Sequence, residues 1–537
     1  MLRLHEVTPA AVCFTGLDGE PFSLDLAALI DLSLEGRDLV SGQRRPDIVV
    51  ADEDVIAVAA AADGRFIVTL ASGRALTLTP DRVLDWREPD AWTVRPRPWP
   101  DQGMSSVLDY AAFLGEPETQ RRGLLHLAAC GFVRLTGAPA TAQEIETLVS
   151  VFGCIRETNY GRIFDVRTKP DAANLADTAL GLAPHTDNPY RLSPPEVQVL
   201  HCISAAGAGG QSLLVDGRAA ALALKAEAPA DFDLLATVPA RFAWADATSR
   251  LVAEAPVIAL RADGDIERIR YNPRSFQHVC AADPSLRDAW TRAYRRFADK
   301  LSSASSLTFD MAPGDMVVMD NRRVLHGRTH FEPSGVVARY LQGAYCDMDG
   351  VYSTLRRLTE GHVERELAGL EALFESEILS QGYGEDISIR DHMLQSAEGA
   401  VARRKGPEFV AAALLHDIGW GMEGPHEAAG AAYLEPRLGS GVSSLIRHHV
   451  DAKRYLVATR PDYVARLSPA SVETLKRQGG PMTDTESRAF EALPDFEACL
   501  ELRYLDEGGK ELTPAATGFS DFRHVIKTLM IRKALTA

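Results

Sequence analysis

The sequence predicts a multidomain α+β protein whose secondary structure changes along the chain. Its 537 residues suggest about three domains rather than one. Near the beginning, strand-forming runs on both sides of residues 71–73 indicate a β-hairpin in a small β-rich domain. Toward the end, residues 385–535 are rich in alanine and in helix-forming residues, which indicates an all-α region. The stretch between them mixes both patterns.

Composition excludes several classes of protein. The net charge is -17 and no basic stripe stands out, so nucleic acid is a poor partner. No apolar run approaches the ~20 residues of a membrane span. The first residues lack the apolar core of a signal peptide. The seven cysteines are scattered without a Cys-x-x-Cys pair, which is typical of a reduced, cytoplasmic enzyme.

Two helices are predicted in the middle of the chain. Thr141 and Glu144 have the spacing of a capping box, which predicts a helix that begins there and runs through Phe152. Residues 359–380 are charge-rich and place Leu367 and its apolar neighbours on one face, which predicts a helical link to the last domain. Strands are predicted at residues 131–135, within 197–215, and near 311–319.

The middle of the chain also carries a candidate metal site. His185 and Asp187 are separated by one residue, and alternate residues of a strand point the same way. Two imidazoles and one carboxylate on one metal leave coordination positions open, as in non-heme Fe(II) oxygenases. His326 could supply the second imidazole. Arg339 offers a planar guanidinium that can grip a carboxylate with two parallel hydrogen bonds.

These residues stand in motifs that resemble the γ-butyrobetaine hydroxylase branch of the 2-oxoglutarate-dependent dioxygenases. The matching segments are Leu-Ala-Pro-His185-Thr-Asp187, Leu200-His-Cys202, Gly209-Gly-Gln-Ser212, Val215-Asp-Gly217, Asp320-Asn321, Leu325-His326-Gly-Arg328 and Arg339. The resemblance implies a double-stranded β-helix (jelly roll) core that uses Fe(II), 2-oxoglutarate and O2. It implies that His185, Asp187 and His326 are the iron ligands and that Arg339 binds the distal carboxylate of 2-oxoglutarate.

The same resemblance suggests where the substrate binds. Tyr160, Phe164 and Tyr345 stand where relatives place an aromatic cage for a quaternary ammonium, although these rings could equally be core residues. Asp177 replaces a further ring of that cage, and a carboxylate favours a primary or monomethyl ammonium over a trimethyl one. The remaining residues expected at this site are Asn174 and, toward an anionic end of the substrate, Arg274.

A second constellation follows in the helix-rich region. Its six candidate metal ligands are His392, His416, Asp417, His426, His449 and Asp506. Any one of them could be a surface or capping residue, but six in this order resemble the HD superfamily of helical metal-dependent enzymes. The segments His449-Val-Asp-Ala-Lys453, Ser468-Pro-Ala-Ser471 and Arg503-x-x-Asp506 narrow the resemblance to mixed-valence diiron oxygenases that act on 1-hydroxyalkyl phosphonates.

This second resemblance implies roles for the individual residues. The six ligands would hold a diiron Fe(II)/Fe(III) centre, with Asp417 bridging. Lys453, Ser471 and Arg503 would bind the phosphonate, and Glu385 would face the substrate amine. The sequence departs from the relatives at Trp420, where they have a further histidine, and in the loop 421–425, which is shorter than theirs.

The combined expectation is a bifunctional enzyme of organophosphonate catabolism. The first site would hydroxylate C1 of a 2-aminoethylphosphonate-type substrate, and the second would cleave the C–P bond to release phosphate and glycine or an N-methylated glycine. Two alternatives remain: a γ-butyrobetaine-type hydroxylase fused to an HD phosphohydrolase, and a non-catalytic sensor. A homodimer is left open for the β-rich domain. The expected segments are residues 1–97 (β-rich), 106–360 (dioxygenase), 361–380 (helical linker) and 381–537 (HD domain).

Overall fold

The structure is a computed structural model of the chain. It describes residues 2–16, 20–38, 40–45, 53–61, 64–87, 89–99, 107–167, 178–205, 208–332, 339–382 and 386–536. These residues form two compact units. One unit combines Met1–Thr93 with Glu360–Thr536, and the other is Val94–Thr359. The β-rich beginning of the chain, expected to be a domain of its own, is therefore part of the same unit as the C-terminal helices.

Two sheets organise the unit Val94–Thr359, and they are antiparallel except for the parallel pairing of Val107–Asp109 with Phe132–Thr136. In the six-stranded sheet, Val197–Ser204 is paired antiparallel with both Met316–Asp320 and Tyr340–Cys346. In the four-stranded sheet, Leu182–His185 pairs with Val324–Arg328. The other strands of this unit are Val107–Asp109, Phe132–Thr136, Phe164–Arg167, Ala208–Gly209, Ser212–Asp216, Ala240–Ala245, Arg250–Ala255, Ile258–Leu260, Ile266–Ile269, Phe276–Val279, Ser306–Phe309 and Phe331–Glu332.

One core of this unit lies between the two sheets. Phe132 and Met319 of the six-stranded sheet pack in one buried cluster with Leu214 and Val324 of the four-stranded sheet. Because side chains alternate along a strand, the opposite face of the four-stranded sheet is free to pack against helices, and Leu325 joins a second core there. The helices of this unit are Tyr110–Gly115, Pro117–Cys130, Glu144–Ser150, Gly217–Glu227, Pro229–Thr237, Pro284–Ser303 and the first part of Met348–Phe374.

The sequence located the strands of this region correctly, but its capping box is wrong. The helix begins at Glu144, and its N-cap is Gln143 in a left-handed conformation with no side-chain cap. The Glu144 carboxylate instead accepts a hydrogen bond of 2.6 Å from the hydroxyl of Tyr110. The backbone N–H of Gln143 donates to the side chain of Gln342. Partners that are distant in the sequence have replaced the local capping bonds.

The β-rich part of the other unit contains the predicted hairpin. Phe66–Leu70 pairs antiparallel with Ala75–Leu78, and Gly73 adopts the positive φ of 84° that its turn requires. A contact to the C-terminal helices is made by Asp81, which lies 3.5 Å from Nδ1 of His524. The remaining elements of this part are Arg3–Thr8, Ala11–Thr15, Pro21–Asp25, Leu26–Leu32, Val55–Ala60, Pro80–Arg87 and Pro89–Trp92.

The C-terminal part of this unit is helical, as predicted. The charge-rich helix runs over Met348–Phe374, and its residues Leu367 and Phe374 are fully buried. The helices that follow are Ile389–Ala402, Pro407–Leu415, His426–Leu438, Ser440–Thr459, Pro461–Arg466, Pro469–Arg477, Asp484–Glu491, Phe496–Gly508 and Phe519–Ala534. Among all helices of the described residues, none is both long enough and apolar enough to cross a membrane.

Candidate functional sites

The first candidate site is built on paired strands of the four-stranded sheet. His185 ends the strand Leu182–His185 and is the cross-strand partner of His326. Their ring centroids are 4.4 Å apart. Asp187 follows just after the strand, with Oδ1 3.4 Å from Nε2 of His185 and Oδ2 3.8 Å from Nε2 of His326. The structure therefore brings together the three residues that the sequence predicts as a metal site.

Neighbouring strands fix the position of the Asp187 carboxylate. Its Oδ2 accepts hydrogen bonds of 2.7 Å from the hydroxyl of Tyr345 and 2.8 Å from the amide of Gln198. Its backbone exchanges two hydrogen bonds with the side chain of Asn321. Burial by itself would raise the pKa of Asp187, but His326, His185 and the Tyr345 hydroxyl outweigh burial and hold that pKa far below its usual range.

The protonation states of the triad suit a divalent metal. Nδ1 of His185 lies 2.9 Å from the carbonyl oxygen of Ala183, so Nδ1 carries the proton and Nε2 presents a lone pair. Burial and the neighbouring His185 lower the pKa of His326 to about 3, which keeps that ring neutral. Two neutral imidazoles and one charged carboxylate are the donor set that non-heme Fe(II) sites use.

A cavity of about 930 Å³ opens beside the triad. Arg339 lines it and is only 8% exposed, and among the described residues its guanidinium has no carboxylate partner. A buried guanidinium without a counter-ion favours binding of an anion. Arg274 also lines the cavity, and its charge contributes to the low pKa of His326. Arg339 and Arg274 are therefore candidates for binding two anionic groups, and Arg167 and Arg328 also line the cavity.

Aromatic rings form another part of the cavity wall. Phe164 stacks on Tyr345 with centroids 4.9 Å apart, and Tyr160 lies 6.0 Å from Phe164. These three rings are where the sequence places them, lining the cavity. The sequence missed two more: Trp244 lies 5.6 Å from Tyr160 and stacks on Tyr190 at 5.8 Å. Tyr190 follows Asp187 by three residues, so it could have been found from the motif. Trp244 lies in the strand Ala240–Ala245, and no sequence spacing relates it to the motif.

Three of the predicted site residues are not among those that the structure describes. Asn174, Asp177 and Glu385 lie outside the described residues.

The second candidate site joins four helices and the turn after Leu415. Its ligands form two groups, His392, His416 and Asp506 in one and Asp417, His426 and His449 in the other. Asp417 faces both groups: Oδ1 lies 3.1 Å from Nε2 of His426 and 3.5 Å from that of His449, whereas Oδ2 lies 3.7 Å from Nε2 of His416. The distances place one carboxylate oxygen on each side, as a bridge between two metal ions requires.

Hydrogen bonds aim the imidazoles of this second site inward. The Nδ1 atoms of His392, His416 and His449 lie 2.7–2.9 Å from the carbonyl oxygens of other residues, so each Nε2 is left as the metal-facing donor. The two Nε2 atoms of His392 and His416 are only 3.1 Å apart. Buried imidazole nitrogens and carboxylate oxygens this close together repel one another through their lone pairs, and a bound cation would remove that repulsion.

Cationic residues lie beside the second site. Lys453 is 4% exposed and donates to Thr474, while the predicted partner Ser471 accepts a hydrogen bond of 2.8 Å from Lys510. Lys510 was missed, because nothing in its local sequence marks it. Arg503 contacts Asp506, Glu507 and the hydroxyl of Tyr463, and its expected role in binding the phosphonate stays a prediction. Arg503 thus holds a candidate metal ligand, whereas the two lysines donate to the hydroxyl groups of Thr474 and Ser471.

The facing sheets, the His-x-Asp…His triad and the buried arginine define the class of protein: an oxidoreductase that uses Fe(II) and 2-oxoglutarate as a dioxygenase. The chain belongs to the TauD/TfdA dioxygenases, since the family described as "Taurine catabolism dioxygenase TauD, TfdA family" matches residues 97–345. A γ-butyrobetaine dioxygenase from Pseudomonas sp. (strain AK-1) is 35% identical over 320 residues, covering 57% of this chain and 82% of that protein.

Two further proteins are similar to parts of this chain. The [1-hydroxy-2-(trimethylamino)ethyl]phosphonate dioxygenase (glycine-betaine-forming) of Leisingera caerulea is 36% identical over 186 residues, which is 32% of this chain and 93% of that protein. Among solved structures, a taurine dioxygenase from Burkholderia xenovorans aligns with a TM-score of 0.34 and 17% identity over 47% of this chain and 90% of that chain.

Proposed function

We propose that the chain is a bifunctional enzyme that degrades aminophosphonates, with a 2-oxoglutarate-dependent hydroxylase and an HD-type diiron oxygenase in one polypeptide. The observation that carries the proposal is the second site. There, the two oxygens of the Asp417 carboxylate face two separate groups of candidate ligands, close to the buried Lys453 and the half-buried Lys510. Similarity to a phosphonate dioxygenase over nearly its whole length supports the same reading.

The first reaction hydroxylates C1 of a 2-aminoethylphosphonate-type substrate. One O2 is consumed: one oxygen atom becomes the new hydroxyl group, and the other enters succinate as 2-oxoglutarate loses CO2. Bound Fe(II) supplies the oxygen activation, and His185, Asp187 and His326 would hold it. Arg339 binds the distal carboxylate of 2-oxoglutarate, and Arg274 binds the phosphonate, because each guanidinium pairs with two oxygens at once.

The second reaction cleaves the C–P bond of the hydroxylated product with another O2. C1 is oxidised to the carboxyl group of glycine, or of an N-methylated glycine, and phosphorus leaves as inorganic phosphate, so that both oxygen atoms are retained in the products. A mixed-valence diiron centre supplies the redox chemistry. Lys453, Lys510 and Ser471 bind the phosphonate oxygens, whereas Arg503 keeps Asp506 oriented as a ligand.

The amine end of the substrate is directed to the ring wall of the first cavity. Five rings there provide faces that attract any ammonium, at about 0.5–2 kcal/mol for each well-placed ring. The related phosphonate dioxygenase takes a trimethylamino substrate, while Asp177 favours an ammonium with N–H groups. The preference for primary or monomethyl amines stays a prediction. It is tested by comparing kcat/KM for the amino, methylamino and trimethylamino phosphonates.

A second candidate for the first site is hydroxylation of γ-butyrobetaine itself, with an HD phosphohydrolase attached. Similarity to γ-butyrobetaine dioxygenase over 82% of that protein favours it. Its substrate ends in a carboxylate, which Arg274 could bind as well as a phosphonate. The two proposals differ in their products, because the hydroxylase alone releases no phosphate from an aminophosphonate.

The deciding experiment follows phosphorus by NMR. The full chain is incubated with Fe(II), ascorbate, 2-oxoglutarate and O2, and with 2-aminoethylphosphonate, its methylamino and trimethylamino analogues, or γ-butyrobetaine with a phosphate ester. We expect the phosphonate resonance to give a hydroxyphosphonate intermediate and then inorganic phosphate, with one succinate for each phosphate. Turnover of γ-butyrobetaine with no phosphate from any phosphonate would overturn the proposal in favour of the alternative.

A further inference from the structure

The four histidines of the second site are not held in the same way. Three of them, His392, His416 and His449, have Nδ1 within 2.7–2.9 Å of a carbonyl oxygen. A carbonyl can only accept, so these bonds fix both the tautomer and the rotation of the ring. Metal-ligating histidines usually depend on such a bond, because the direction of Nε2 follows from it.

His426 lacks a carbonyl partner of this kind within the described chain. Its Nδ1 lies 3.2 Å from Oε2 of the adjacent Glu427, but that oxygen is buried without an aligned hydrogen bond among the described residues. The contact is therefore a charge interaction that does not fix the ring plane. What does lie against the plane is the indole of Trp420, stacked on the imidazole with centroids 4.9 Å apart and planes 17° from parallel.

The backbone holds Trp420 in that position. Its N–H donates to the carbonyl of Asp417 at 3.1 Å, so the turn that carries the bridging ligand also carries the indole. Gly419 lets this turn approach the next helix: a Cβ on Gly419 would lie 2.0 Å from the carbonyl oxygen of His426. The backbones that carry the indole and His426 are therefore held close to each other.

We propose that Trp420 is the positioning residue for His426, replacing by ring stacking the hydrogen bond that orients each of the other three histidines. The inference rests on the proposed second metal site and deepens it. A stacked indole restricts rotation of the imidazole about its Cβ–Cγ bond and keeps Nε2 directed at Oδ1 of Asp417, 3.1 Å away. It also covers one face of the ring and keeps water from it. Trp420 touches a ligand and not the substrate.

Metal binding in the absence of any phosphonate tests the inference. In an Asp187→Ala background, which removes the first site, Fe(II) affinity is measured anaerobically by competition with a chelator. Trp420→Ala should weaken the binding of one of the two irons by about tenfold to a hundredfold, the range seen when support for a metal ligand is removed. Trp420→Phe keeps a stacking ring and should restore binding to within about threefold. Trp420→Leu, which is apolar but not planar, should resemble the alanine variant.

Fluorescence gives a readout that does not depend on catalysis. Fe(II) at the second site should quench the emission of Trp420, and this quenching should be absent from Trp420→Phe but present in Trp86→Phe, whose indole is 49% exposed on the β-rich part of the unit. Unchanged Fe(II) affinity in both the alanine and leucine variants would overturn the inference. A parent protein that binds no Fe(II) in the Asp187→Ala background would instead overturn the proposed second site, so the two failures are distinguishable.

Discussion

The carboxylates of the two candidate ligand clusters have different hydrogen-bond donors, and on the proposed function this difference accounts for one metal in the first cluster and two in the second. In the first cluster, two neutral donors, Tyr345 and Gln198, both occupy Oδ2 of Asp187, which leaves Oδ1 as the ligand atom. In the second, the only donors near the Asp417 carboxylate among the described residues are histidine nitrogens. Both of its oxygens can therefore bind metal.

Asp506 resembles Asp187 in this respect. Its Oδ1 faces His392 at 3.2 Å, whereas Oδ2 is held by Arg503, as the Oδ2 of Asp187 is held by Tyr345. On the proposed function, Asp187 and Asp506 would be terminal ligands, because a protein donor occupies one oxygen of each, and Asp417 would be a bridge. The surroundings differ in the same sense: the first cluster borders a cavity with room for a cosubstrate, and the second is enclosed by helices.

The largest expected effect is the loss of activity at the first cluster with no change at the second. Asp187→Ala removes the only carboxylate of the first triad, so substrate-dependent succinate formation should fall by about a thousandfold or more. Phosphate release from a pre-hydroxylated substrate should be unchanged, because the second cluster is intact. Succinate and phosphate are measured in parallel on the same preparation. Succinate formation at the wild-type rate would show that Asp187 is not a ligand.

The reciprocal variant is Asp417→Ala. Loss of the bridging carboxylate leaves two groups of imidazoles without a shared ligand, and C–P cleavage should stop while the hydroxylated intermediate accumulates in the phosphorus spectrum. Metal analysis should show a decrease from about three irons per chain to about one, on the ligand counts of the two clusters. Continued phosphate release by this variant would refute the two-metal assignment.

A smaller effect is expected when one of the two donors to the Asp187 carboxylate is removed. Tyr345→Phe removes the 2.7 Å hydrogen bond to Asp187 while it keeps the ring that stacks on Phe164. Fe(II) affinity at the first site should decrease by roughly tenfold to a hundredfold, as for other groups that orient a metal ligand. The second site serves as the internal control, since its affinity should not change. Equal affinity in wild type and variant would mean that Gln198 alone fixes the carboxylate.

Lys510 is expected to contribute to binding of the phosphonate rather than to the metals. Lys510→Met should raise KM for the hydroxylated phosphonate about tenfold or more at unchanged iron content, since a charge-assisted hydrogen bond contributes roughly 1.5–3 kcal/mol. The matched control is Lys405→Met. The Nζ of Lys405 lies 2.5 Å from a carboxylate oxygen of Glu501, and neither residue is a candidate ligand. A lower kcat at unchanged KM would place Lys510 outside the binding site.

The smallest effect is a pH dependence of anion binding. Burial and the neighbouring Arg503 lower the pKa of Lys453 to about 8, with Lys510 lowering it further and Asp506 and Asp417 opposing. The ammonium is present below that pH and is lost above it. The affinity for sulfate, a dianion at all pH values used, should be constant below about pH 8 and fall by up to tenfold per pH unit above it.

The control for this titration is Lys453→Arg, whose guanidinium stays protonated over the whole range. Its sulfate affinity should be independent of pH. Calorimetric titration of the metal-free protein between pH 6 and 10 provides both profiles. A wild-type profile as flat as that of the arginine variant would show that Lys453 does not bind the anion.

Sequence reasoning succeeded where function depends on residue types at short spacing. The His-x-Asp motif, the adjacent His416 and Asp417, and the helix-rich region that bears His392 and His449 were predicted, and the structure brings the candidate ligands together. It failed where a residue distant in the sequence replaced a local hydrogen-bond partner. The Glu144 carboxylate accepts a hydrogen bond from Tyr110 instead of capping its helix.

The sequence by itself determined which atoms are available to bind metals and in what order they occur, because ligand chemistry is a property of the side chain. Only the tertiary structure decided how each ligand is used. Whether a carboxylate is terminal or bridging depends on donors from remote elements, such as Tyr345 for Asp187 and Arg503 for Asp506. The stacking of Trp420 on His426 likewise depends on a close backbone approach between two elements, which no sequence spacing encodes.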